Sequence, residues 1–459
     1  MLLLYPGAIE QISGRVMELI EIVLFLLLCV GGSHVGKSRF ALRMVSERSD
    51  TFYPLPLQVG QEVVIKIEDI LNNGLGLGRV RTNELNGFVV MVPFVCIDEI
   101  VRVCITHNRG TYCEGQLVDI LERNNLHRTD PVCPYFTKCD GCSYQHLNMN
   151  FQRHIKEKQV KGSLQKIANL QTTTLKFNPI VFTDNTYNYR SKLTPHVLQL
   201  GNNDVVMGFQ NSKNNEIIDV DECSIASKLI NERYKEQKLK YKAEYSAPQR
   251  KTLLFREWDR GVETEQDMKL VSTIKGFKFS FYSQDFFQVN YYILPKLLDY
   301  VQSQCVGYRY LIDCYCGSGL FSIGLSGCFD AIYGVEINKK SVETAKENLK
   351  INGLENKNIH FLAASADAIF QQVESKHKLD PVVTCVIIDP PRKGIDDKFV
   401  KQLQKYKYQR LVYISCEPTT QSRDVKKLLE VGYEIVEVTP FDLFPQTKHI
   451  ENVIVLNKI

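Results

Sequence analysis

The feature that most constrains the fold is a regular alternation of short apolar strands and amphipathic helices from about residue 281 to the end. Strands that alternate with helices over such a length predict a doubly wound parallel α/β sheet. The five predicted strands are Arg309–Cys314, Ala331–Val335, His360–Ala363, Val382–Ile388 and Arg410–Ile414. All of them except His360–Ala363 end in polar or glycine-rich segments. Because ligands of such sheets bind beyond the carboxyl ends of the strands, these segments are the first candidates for a functional site.

The first two of these strand ends have the pattern of an adenosine site. A tight turn with Gly317 and Gly319 follows the first strand and opens a helix, and Glu336 ends the second strand, where an acid would bind ribose hydroxyls. There is no third glycine at dinucleotide spacing and no phosphate-loop lysine at this turn. The cofactor S-adenosyl-L-methionine (AdoMet) therefore fits better than NAD or ATP.

The later strand ends carry candidates for chemistry on a substrate. One strand is followed by Asp389, two prolines that fix the backbone, and Arg392, where amino-group methyltransferases usually have an aromatic residue. Cys416 follows the next strand, just before a helix N-terminus whose dipole favours a thiolate. We interpret this cysteine as a nucleophile rather than a buried structural residue. In the last strand pair Glu451 is a candidate base, while His449 fits a structural hydrogen-bonding role equally well.

The residues before this C-terminal α/β domain (281–459) divide into two further predicted domains. Short β-branched runs between residues 57 and 122, with a glycine-rich stretch at 72–79, predict a small closed barrel of the oligonucleotide-binding type. Residues 123–280 are expected to form an α+β domain whose interleaved cations and aromatic side chains suit phosphates and unstacked bases. The net charge is only +4, so RNA binding would require a local basic surface.

A group of cysteines in the central region indicates a metal site. Cys133, Cys139 and Cys142 have the spacing C-x5-C-x2-C, and Cys223 is a candidate fourth ligand in a polar segment. Thiolates select zinc or an iron–sulfur cluster, and the spacing differs from the C-x3-C-x2-C of radical-AdoMet enzymes. The chain has 14 cysteines without a secretory framework, so we expect reduced thiols and a cytoplasmic protein.

Residues 1–56 form a predicted extension of unknown role. The apolar run Ile22–Val30 is too short to span a bilayer, and nothing before Arg15 is basic, so neither a membrane anchor nor a secretory signal is expected. Gly31–Ser38 matches the phosphate-loop pattern, but a small β module follows instead of the rest of such a domain. We interpret the match as chance; the alternatives are a working nucleotide site and a translation start downstream, for example at Met44.

The motifs, taken in order, resemble those of the RNA 5-methyluridine (uracil-C5) methyltransferase family. They are C-x5-C-x2-C, D-x-x-C-G-x-G-x-F, D-P-P-R-x-G, S-C-x-P and F-P-x-T-x-H-x-E, and the N-terminal barrel resembles the TRAM module of that family. The resemblance extends from about residue 57 to the end. Glu417 is a local departure, because the family usually has asparagine at this position.

The resemblance implies a reaction and a site. The reaction is AdoMet-dependent methylation of C5 of a uridine in structured tRNA or rRNA, through a covalent bond between cysteine and C6. The implied catalytic residues are Cys416 and Glu451, and Gln288 and Asp389 are implied to contact the substrate or the cofactor. The residues implied for the AdoMet pocket are Asp313, Gly317, Gly319, Phe321, Glu336, Asp367 and Asp389. Four ligands are implied for a 4Fe–4S cluster, with zinc as the alternative, and they are Cys133, Cys139, Cys142 and Cys223.

Two other functions remain open at the level of sequence. A cytosine-C5 RNA methyltransferase also uses a thiolate, although its cysteines normally stand in other contexts than D-P-P-R and S-C-x-P. An RNA-binding protein without catalysis would use the barrel and the basic centre, although Cys416 and Glu451 count against it. The sequence supports two roles for Asn290 equally: it caps a predicted helix over Tyr291–Val301, or it has a function in the site. No obligate protein partner is indicated, and the cysteine group leans slightly towards rRNA enzymes.

Overall fold

The computed structural model describes residues 52–53, 56–82, 86–201, 204–211, 215–243 and 249–459, so the apolar run at 22–30 and the phosphate-loop-like stretch at 31–38 lie outside the described residues. The chain forms two compact units. The first contains the described residues up to Ile67, with Gly78–Met91 and Asp98–Arg123; the second contains Glu68–Leu77, Val92–Ile97 and Asn124–Ile459. Among the helices within these ranges, none is long and apolar enough to cross a bilayer.

Five of the six strands described at the N-terminal end close into a barrel, as the sequence predicts, and the short first strand adds to it. The strands are β1 (Phe52–Tyr53), β2 (Glu62–Ile70), β3 (Gly76–Thr82), β4 (Asn86–Val92), β5 (Ile100–Asn108) and β6 (Tyr112–Glu122). They hydrogen-bond in the order β1-β3-β2-β5-β6-β4, and an additional pairing between β3 and β4 closes the barrel. Buried and exposed residues alternate along β2 and β5, because one face of each strand lines the barrel interior.

The glycine-rich stretch at 72–79 is partly turn and partly strand, whereas the sequence analysis assigned no strand to it. Gly74 lies in the turn with φ of 84°, but Gly78 lies within β3. A Cβ atom on Gly78 would come within 2.5 Å of the carbonyl oxygen of Lys66. Glycine at this position therefore permits the close approach of β3 and β2, and its strand role cannot be read from local propensity.

Residues 124–282 contain two helices and small antiparallel sheets, an α+β arrangement. The elements are α1 (Met149–Ile167), β7 (Lys192–Leu193), β8 (His196–Gly201), β9 (Asp204–Gln210), β10 (Ile217–Asp219), α2 (Lys228–Ala243), β11 (Gln249–Thr252), β12 (Phe255–Trp258), β13 (Gly261–Glu263), β14 (Lys269–Ile274) and β15 (Phe277–Tyr282). The sheets have the orders β10-β9-β8-β11 and β13-β12-β7, and β14 pairs with β15 as a hairpin. In α1, Val160 and Leu164 pack into the same core as the C-terminal sheet.

The C-terminal residues form the predicted α/β layer structure. Its elements are α3 (Leu294–Gln304), β16 (Tyr310–Cys314), α4 (Leu320–Gly324), β17 (Ala331–Glu336), α5 (Lys339–Ile351), β18 (Ile359–Ala363), α6 (Ile369–Glu374), β19 (Thr384–Ile388), α7 (Asp397–Tyr406), β20 (Arg410–Ser415), α8 (Pro418–Glu430), β21 (Tyr433–Phe441) and β22 (Glu451–Lys458), with short 3-10 turns at Ala366–Ala368 and Pro381–Val383. Each of the five strands from β16 to β20 begins and ends within two residues of its predicted bounds. Helices α3 to α5 cover one face of the sheet, and α6 to α8 cover the other.

The seven-stranded sheet is mixed rather than wholly parallel, which corrects the sequence prediction. Its order is β18-β17-β16-β19-β20-β22-β21, and β22 runs antiparallel to both of its neighbours. A loop of nine residues joins β21 to β22, which suffices for antiparallel neighbours but not for the crossover that parallel strands require. Because of this reversal, the first residue of β22, Glu451, lies at the same edge of the sheet as the last residue of β20, Ser415.

Candidate active site

The carboxyl edge of the sheet borders a cleft of about 1100 Å³ that collects most of the predicted site residues. Those that line it are Gln288, Gly317, Phe321, Glu336, Asp389, Cys416 and Glu451. Three predicted site residues do not line the cleft: Asp313, which lies in β16, Gly319, which lies in the turn after it, and Asp367. The cleft spans the ends of β16, β17, β19 and β20 and the start of β22, so residues more than 130 positions apart in sequence meet here.

The turn after β16 depends on glycine geometry. Gly317 and Gly319 have positive φ values of 54° and 89°, a region that other residues rarely adopt. A Cβ atom on Gly319 would also lie 3.0 Å from the ring of Phe361. The turn is held from outside by Asn348, a buried residue of α5 whose side-chain amide donates to the carbonyl oxygens of Ser280 and Ser318.

Asp313 is a buried carboxyl group at the end of β16. One oxygen, Oδ2, accepts hydrogen bonds from the N–H and the hydroxyl of Ser322 at 2.9 and 2.6 Å, and the other, Oδ1, has no hydrogen-bond partner in the described structure. Burial raises the pKa of Asp313 to about 7, against the opposing effect of the Ser322 hydrogen bonds. A buried carboxylate with one free oxygen is suited to a cationic or hydrogen-bond-donating ligand.

Glu336 and Asp367, the other acids predicted at the cofactor, differ in their surroundings. Glu336 ends β17 and accepts the N–H groups of Gly317 at 3.3 Å and Asn338 at 2.9 Å, so it fixes the turn while its carboxylate faces the cleft. Asp367 instead accepts from the hydroxyl of Ser365 and pairs with Lys398 at 3.3 Å. These two partners lower the pKa of Asp367, Ser365 first. The structure thus brings Glu336, but not Asp367, into the cleft lining.

Cys416 and Glu451 lie together at the far end of the cleft, beside Asp389 and Arg392. Burial raises the pKa of the Cys416 thiol to about 11, the charges of Glu451 and Asp389 raise it further, and Arg392 lowers it through charge and a hydrogen bond. Desolvation and two nearby carboxylates thus oppose the thiolate character that the sequence predicts from the helix dipole. Burial, and secondly the charge of Asp389, also raise the pKa of Glu451 well above its usual value.

Asp389 is a further carboxyl group with a raised pKa. Burial is the first cause and the charge of Asp313 the second. Asp389 and Glu451 line the cleft, and Asp313, outside its lining, is close enough for its charge to act on Asp389. Like charges in a confined site keep carboxyl groups protonated until a cation or a donor arrives, so the cleft is prepared for a positively charged ligand.

The loop Asp389–Gly394 is anchored by residues that the sequence analysis missed. Asp424 of α8 is fully buried and accepts the N–H of Ile395 at 2.9 Å, the hydroxyl of Tyr413 at 2.7 Å and the guanidinium of Arg423 at 2.6 Å. Arg423 also donates to the carbonyl oxygen of Lys393 at 2.8 Å. The sequence shows two adjacent charged residues, Arg423 and Asp424, but only the fold shows that they contact this loop.

Gln288 and Asn290 have separate roles. Gln288 lines the cleft, next to Phe286, whose side chain is 81% exposed. Asn290 is fully buried, donates to the carbonyl oxygen of Leu443 at 2.9 Å and accepts the N–H of Tyr292 at 3.2 Å. Asn290 thus makes structural hydrogen bonds, but the predicted helix cap is wrong, because the helix begins at Leu294 with Ile293 as its N-cap and without a side-chain cap.

His449 lines the cleft, and in the sequence it lies between the two catalytic candidates, Cys416 and Glu451. Burial lowers its pKa to about 4, and the charge of Arg392 lowers it further. Its ring makes an edge contact with the ring of Phe444 at a centroid distance of 6.2 Å. The backbone N–H of His449 donates to the hydroxyl of Thr447 at 3.2 Å. The lowered pKa makes the neutral imidazole of His449 a poor proton acceptor, whereas the raised pKa of Glu451 makes its carboxylate a better one, so Glu451 stays the candidate base.

The four predicted metal ligands, Cys133, Cys139, Cys142 and Cys223, lie near one another. Burial raises the pKa of Cys139 to about 11 and that of Cys142 to about 12. The charges of Cys223 and Cys133 raise both values further. The N–H of Gly141 donates to the sulfur of Cys139 at 3.4 Å. In the part of the chain that the structure describes, no three His, Cys, Asp or Glu side chains are placed so that they could hold a metal ion. The donor set suits a soft metal centre, but the geometry alone does not form one.

A hydrogen-bonded clamp holds the two cysteine segments together. The hydroxyl of Tyr135 donates to Asp221 at 2.9 Å and accepts the N–H of the same residue at 3.1 Å. Lys238 of α2 binds both Asp219 and Asp221 at 2.9–3.0 Å. The segment that contains Cys223 is thereby fixed beside the first three cysteines by protein contacts alone.

Comparisons with known proteins agree with this arrangement. The profile of the tRNA (Uracil-5-)-methyltransferase family matches residues 253–459, and that of the TRAM domain matches residues 56–118. The chain is 35% identical over 430 residues to a tRNA (uracil(54)-C(5))-methyltransferase of Schizosaccharomyces pombe, and the match covers 88% of this chain and 80% of that one. It is 29% identical over 498 residues to a Saccharomyces cerevisiae protein of the same name, with coverage of 91% and 77%.

The fold is also that of a solved relative. The crystal structure of Pyrococcus abyssi tRNA (uracil-54, C5)-methyltransferase, in complex with S-adenosyl-L-homocysteine, matches with a TM-score of 0.61 and 22% identity. The match covers 86% of this chain and all of that one. At this identity the likeness concerns the fold.

Together the fold, the cleft and these matches define the protein as an AdoMet-dependent RNA methyltransferase. Within that class the chain belongs to the tRNA (uracil-5-)-methyltransferase family, since it shares 35% identity with a member across most of both chains. It is thus an RNA (uracil-C5)-methyltransferase, and the family predicted from its motifs is confirmed.

Proposed function

We propose that this enzyme transfers a methyl group from AdoMet to C5 of a uridine in tRNA, through a covalent intermediate on Cys416. The observation that carries the proposal is the meeting of Cys416 and Glu451 in one cleft with the glycine turn and Glu336. Two relatives are named for uridine 54 of tRNA, so we propose the corresponding uridine as the target. The names of these relatives favour tRNA over rRNA.

C5 of uracil is too weak a nucleophile to accept a methyl group unaided, and covalent catalysis makes it more nucleophilic. The Cys416 thiol loses its proton to solvent, the resulting thiolate adds to C6, and the electron pair of the C5–C6 double bond moves into an enolate. AdoMet supplies the methyl group, which C5 accepts as the sulfonium becomes a neutral thioether. Glu451 then removes the proton from C5, and the electrons of that C–H bond restore the C5–C6 double bond as the sulfur leaves.

The residues present fit AdoMet. Asp313 has a buried oxygen without a partner, Glu336 faces the cleft at the end of β17, and Phe321 and Ile337 provide apolar walls. These groups would hold the adenosine and the charged end of the cofactor, and the raised pKa values of Asp313 and Asp389 suit the approach of a cation. A target base must leave its stack to enter such a cleft.

The activity is tested by labelled methyl transfer. Purified protein is incubated with methyl-labelled AdoMet and, separately, total tRNA and total rRNA, and the products are digested to nucleosides. We expect labelled 5-methyluridine from tRNA only, and none with Cys416→Ala. Labelled 5-methylcytidine would indicate a cytosine enzyme, label in rRNA alone would overturn the tRNA assignment, and RNA binding without any transfer would indicate a non-catalytic binder.

The four cysteines are proposed to bind a 4Fe–4S cluster that is structural. Their sulfurs lie close enough for their charges to interact, and the N–H groups of Gly141, Ile225 and Ala226 donate to the sulfurs, as is common around metal-bound thiolates. The Tyr135 clamp already aligns the two segments. Iron and sulfide analysis of anaerobically purified protein should give about four of each per chain; a colourless zinc protein would replace this assignment.

A further inference from the structure

A second cavity lies in the same compact unit as the active cleft. It has a volume of about 630 Å³ and is lined by the segment 184–188, the start of α2, Glu257 and Tyr292. No residue of the proposed mechanism lines it, and the two linings share no residue. A cavity of this size is large enough to receive part of a substrate.

The two cavities flank the same pair of backbone segments. Arg190 lines the active cleft and Asn188 lines the second cavity; likewise Gln288 lines the first and Tyr292 the second. Arg190 bridges to Asn290 in antiparallel fashion between them. Residues four apart have Cα atoms at most about 14 Å apart, so one RNA strand that places a base in the active cleft can place a neighbouring base in the second cavity.

The second cavity presents hydrogen-bonding groups that the protein itself does not satisfy. Within the described residues, the side chains of Asn185, Asn188 and Glu257 have no hydrogen-bond partner. Asn188 is held at a positive φ of 52°, and its N–H donates to the carbonyl oxygen of Ser224 at 3.1 Å. Two aromatic rings complete the lining, Tyr187, which is half-buried, and Tyr292, which is 51% exposed.

The charges of the lining select against a phosphate. Asp184 and Glu257 contribute two carboxylates, and only Lys228, an exposed residue at the start of α2, contributes a cation. A neutral ligand with N–H donors suits these carboxylates, and a flat one suits the aromatic rings. An unstacked nucleobase has both properties, and bases that carry an exocyclic amino group offer the most donors.

We infer that this second cavity binds an unstacked, amino-bearing nucleobase of the RNA substrate, close in sequence to the target uridine, and that Glu257 and Tyr292 determine its selection. This inference rests on the proposed function, since it requires an RNA that enters the active cleft. Stacking on Tyr292 would supply affinity, and the carboxylate of Glu257 would accept from the Watson–Crick edge of the base.

The test uses the full chain and tRNA transcripts in which each nucleotide within two positions of the methylated uridine is replaced, one at a time, by an abasic residue. For the unmodified enzyme, one such replacement should raise KM about tenfold and change kcat less than twofold. Tyr292→Ala should raise KM about tenfold for the intact transcript, with no further increase for that abasic transcript. Tyr292→Phe should retain the original KM, because the ring is preserved.

Glu257→Gln should weaken the preference for an amino-bearing base at the same position, whereas Glu355→Gln, an exposed carboxylate outside both cavities, should change nothing. Two failures can be told apart. If the unmodified enzyme methylates no RNA, the proposed function is at fault. If it methylates tRNA but no abasic transcript differs from the intact one, or Tyr292→Ala keeps the original KM, the second cavity does not bind a base.

Discussion

Cys416 is the proposed nucleophile, but its surroundings in the protein favour the thiol over the thiolate. Its pKa of about 11 reflects burial and the negative charges of Glu451 and Asp389, which Arg392 only partly offsets. The thiolate must therefore form as ligands arrive and alter this charge balance. Arg392 lowers this pKa through its charge and a hydrogen bond, so we expect the arginine of D-P-P-R-x-G to favour the thiolate.

At the residue scale, the two catalytic candidates should fail at different steps. RNA with 5-fluorouridine at the target should form a stable adduct with the enzyme, because fluorine cannot leave as a proton. Cys416→Ala should form none, whereas Glu451→Gln should accumulate an adduct even with ordinary uridine, after methyl transfer. Denaturing gels of labelled RNA distinguish the two.

A matched control uses a cysteine outside the cleft. Cys328→Ala removes another partly buried thiol that does not line the cleft, and it should form the fluorouridine adduct like the unmodified enzyme. Adduct formation by Cys416→Ala would disprove the assignment of the nucleophile.

The carboxyl groups predict a pH dependence of cofactor binding. The protein's own groups raise the pKa of Asp313 to about 7, above its usual value, and that of Asp389 is also raised. A bound cation favours their ionised forms, so affinity for AdoMet should rise as pH increases from about 5 to 8. The gain is roughly tenfold for each unit by which binding lowers a pKa. Calorimetry in buffers of different ionisation enthalpy would count the released protons.

S-adenosyl-L-homocysteine serves as the matched ligand, because it lacks the sulfonium charge. Its affinity should depend less on pH over the same range. Equal pH dependence for both ligands would mean that these carboxyl groups do not respond to the sulfonium.

At the scale of elements, the loop Asp389–Gly394 is shaped by one glycine. Gly394 has φ of 75°, and a Cβ atom there would lie 2.1 Å from Oδ2 of Asp424. Gly394→Ala should displace the loop or the buried carboxylate that holds it. We expect a loss of stability of about 1–3 kcal/mol and at least a roughly tenfold lower kcat. Thermal unfolding and steady-state kinetics measure the two effects.

Gly327→Ala is the control for this substitution. A Cβ atom on Gly327 would have no atom within 4 Å, and its φ is not positive, so alanine should be tolerated there. If Gly394→Ala retains full kcat and thermal stability, the loop does not depend on the geometry described.

The strand ends illustrate which elements are readable from sequence. Each strand from β16 to β20 was located within two residues, because apolar runs with flanking turn residues are local signals. The direction of β22 was missed, because strand direction depends on the length of the connection and on which neighbour remains unpaired. That direction places Glu451 at the same sheet edge as Cys416, so the direction of one strand brings the proposed catalytic pair together.

At the scale of the whole molecule, the loop between β21 and β22 is held by residues far away in sequence. Lys156 of α1 is fully buried and binds Asp442 at 2.6 Å and the carbonyl oxygen of Phe444 at 2.9 Å. The hydroxyl of Tyr189 donates to the carbonyl oxygen of Pro445 at 2.9 Å. The loop that leads to Glu451 is therefore positioned by residues that precede the α/β domain.

Breaking the buried ion pair should affect both stability and catalysis. Lys156→Met leaves Asp442 buried with only Arg153 nearby, at 3.8 Å, and should destabilise the protein by about 3 kcal/mol. It should also lower kcat, because the loop before Glu451 loses its anchor. Thermal unfolding and kinetics provide the measurements.

The double variant Lys156→Met with Asp442→Asn tests whether the charges act as a pair. Removing both should restore part of the stability that the single substitution loses, because no uncompensated buried charge remains. A double variant no more stable than Lys156→Met would show that the two charges are not coupled.

The strand ends, the glycine turn and the family motifs could be predicted from the sequence, because each is a local pattern of residues close together in the chain. The raised pKa of Cys416, the nearness of Arg392 to it, the place of Asp367 outside the cleft lining and the second cavity became visible only in the fold. These properties depend on burial and on charges brought together from distant positions. Local patterns do not specify such distances, which is why the chemistry of the cleft became readable only in three dimensions.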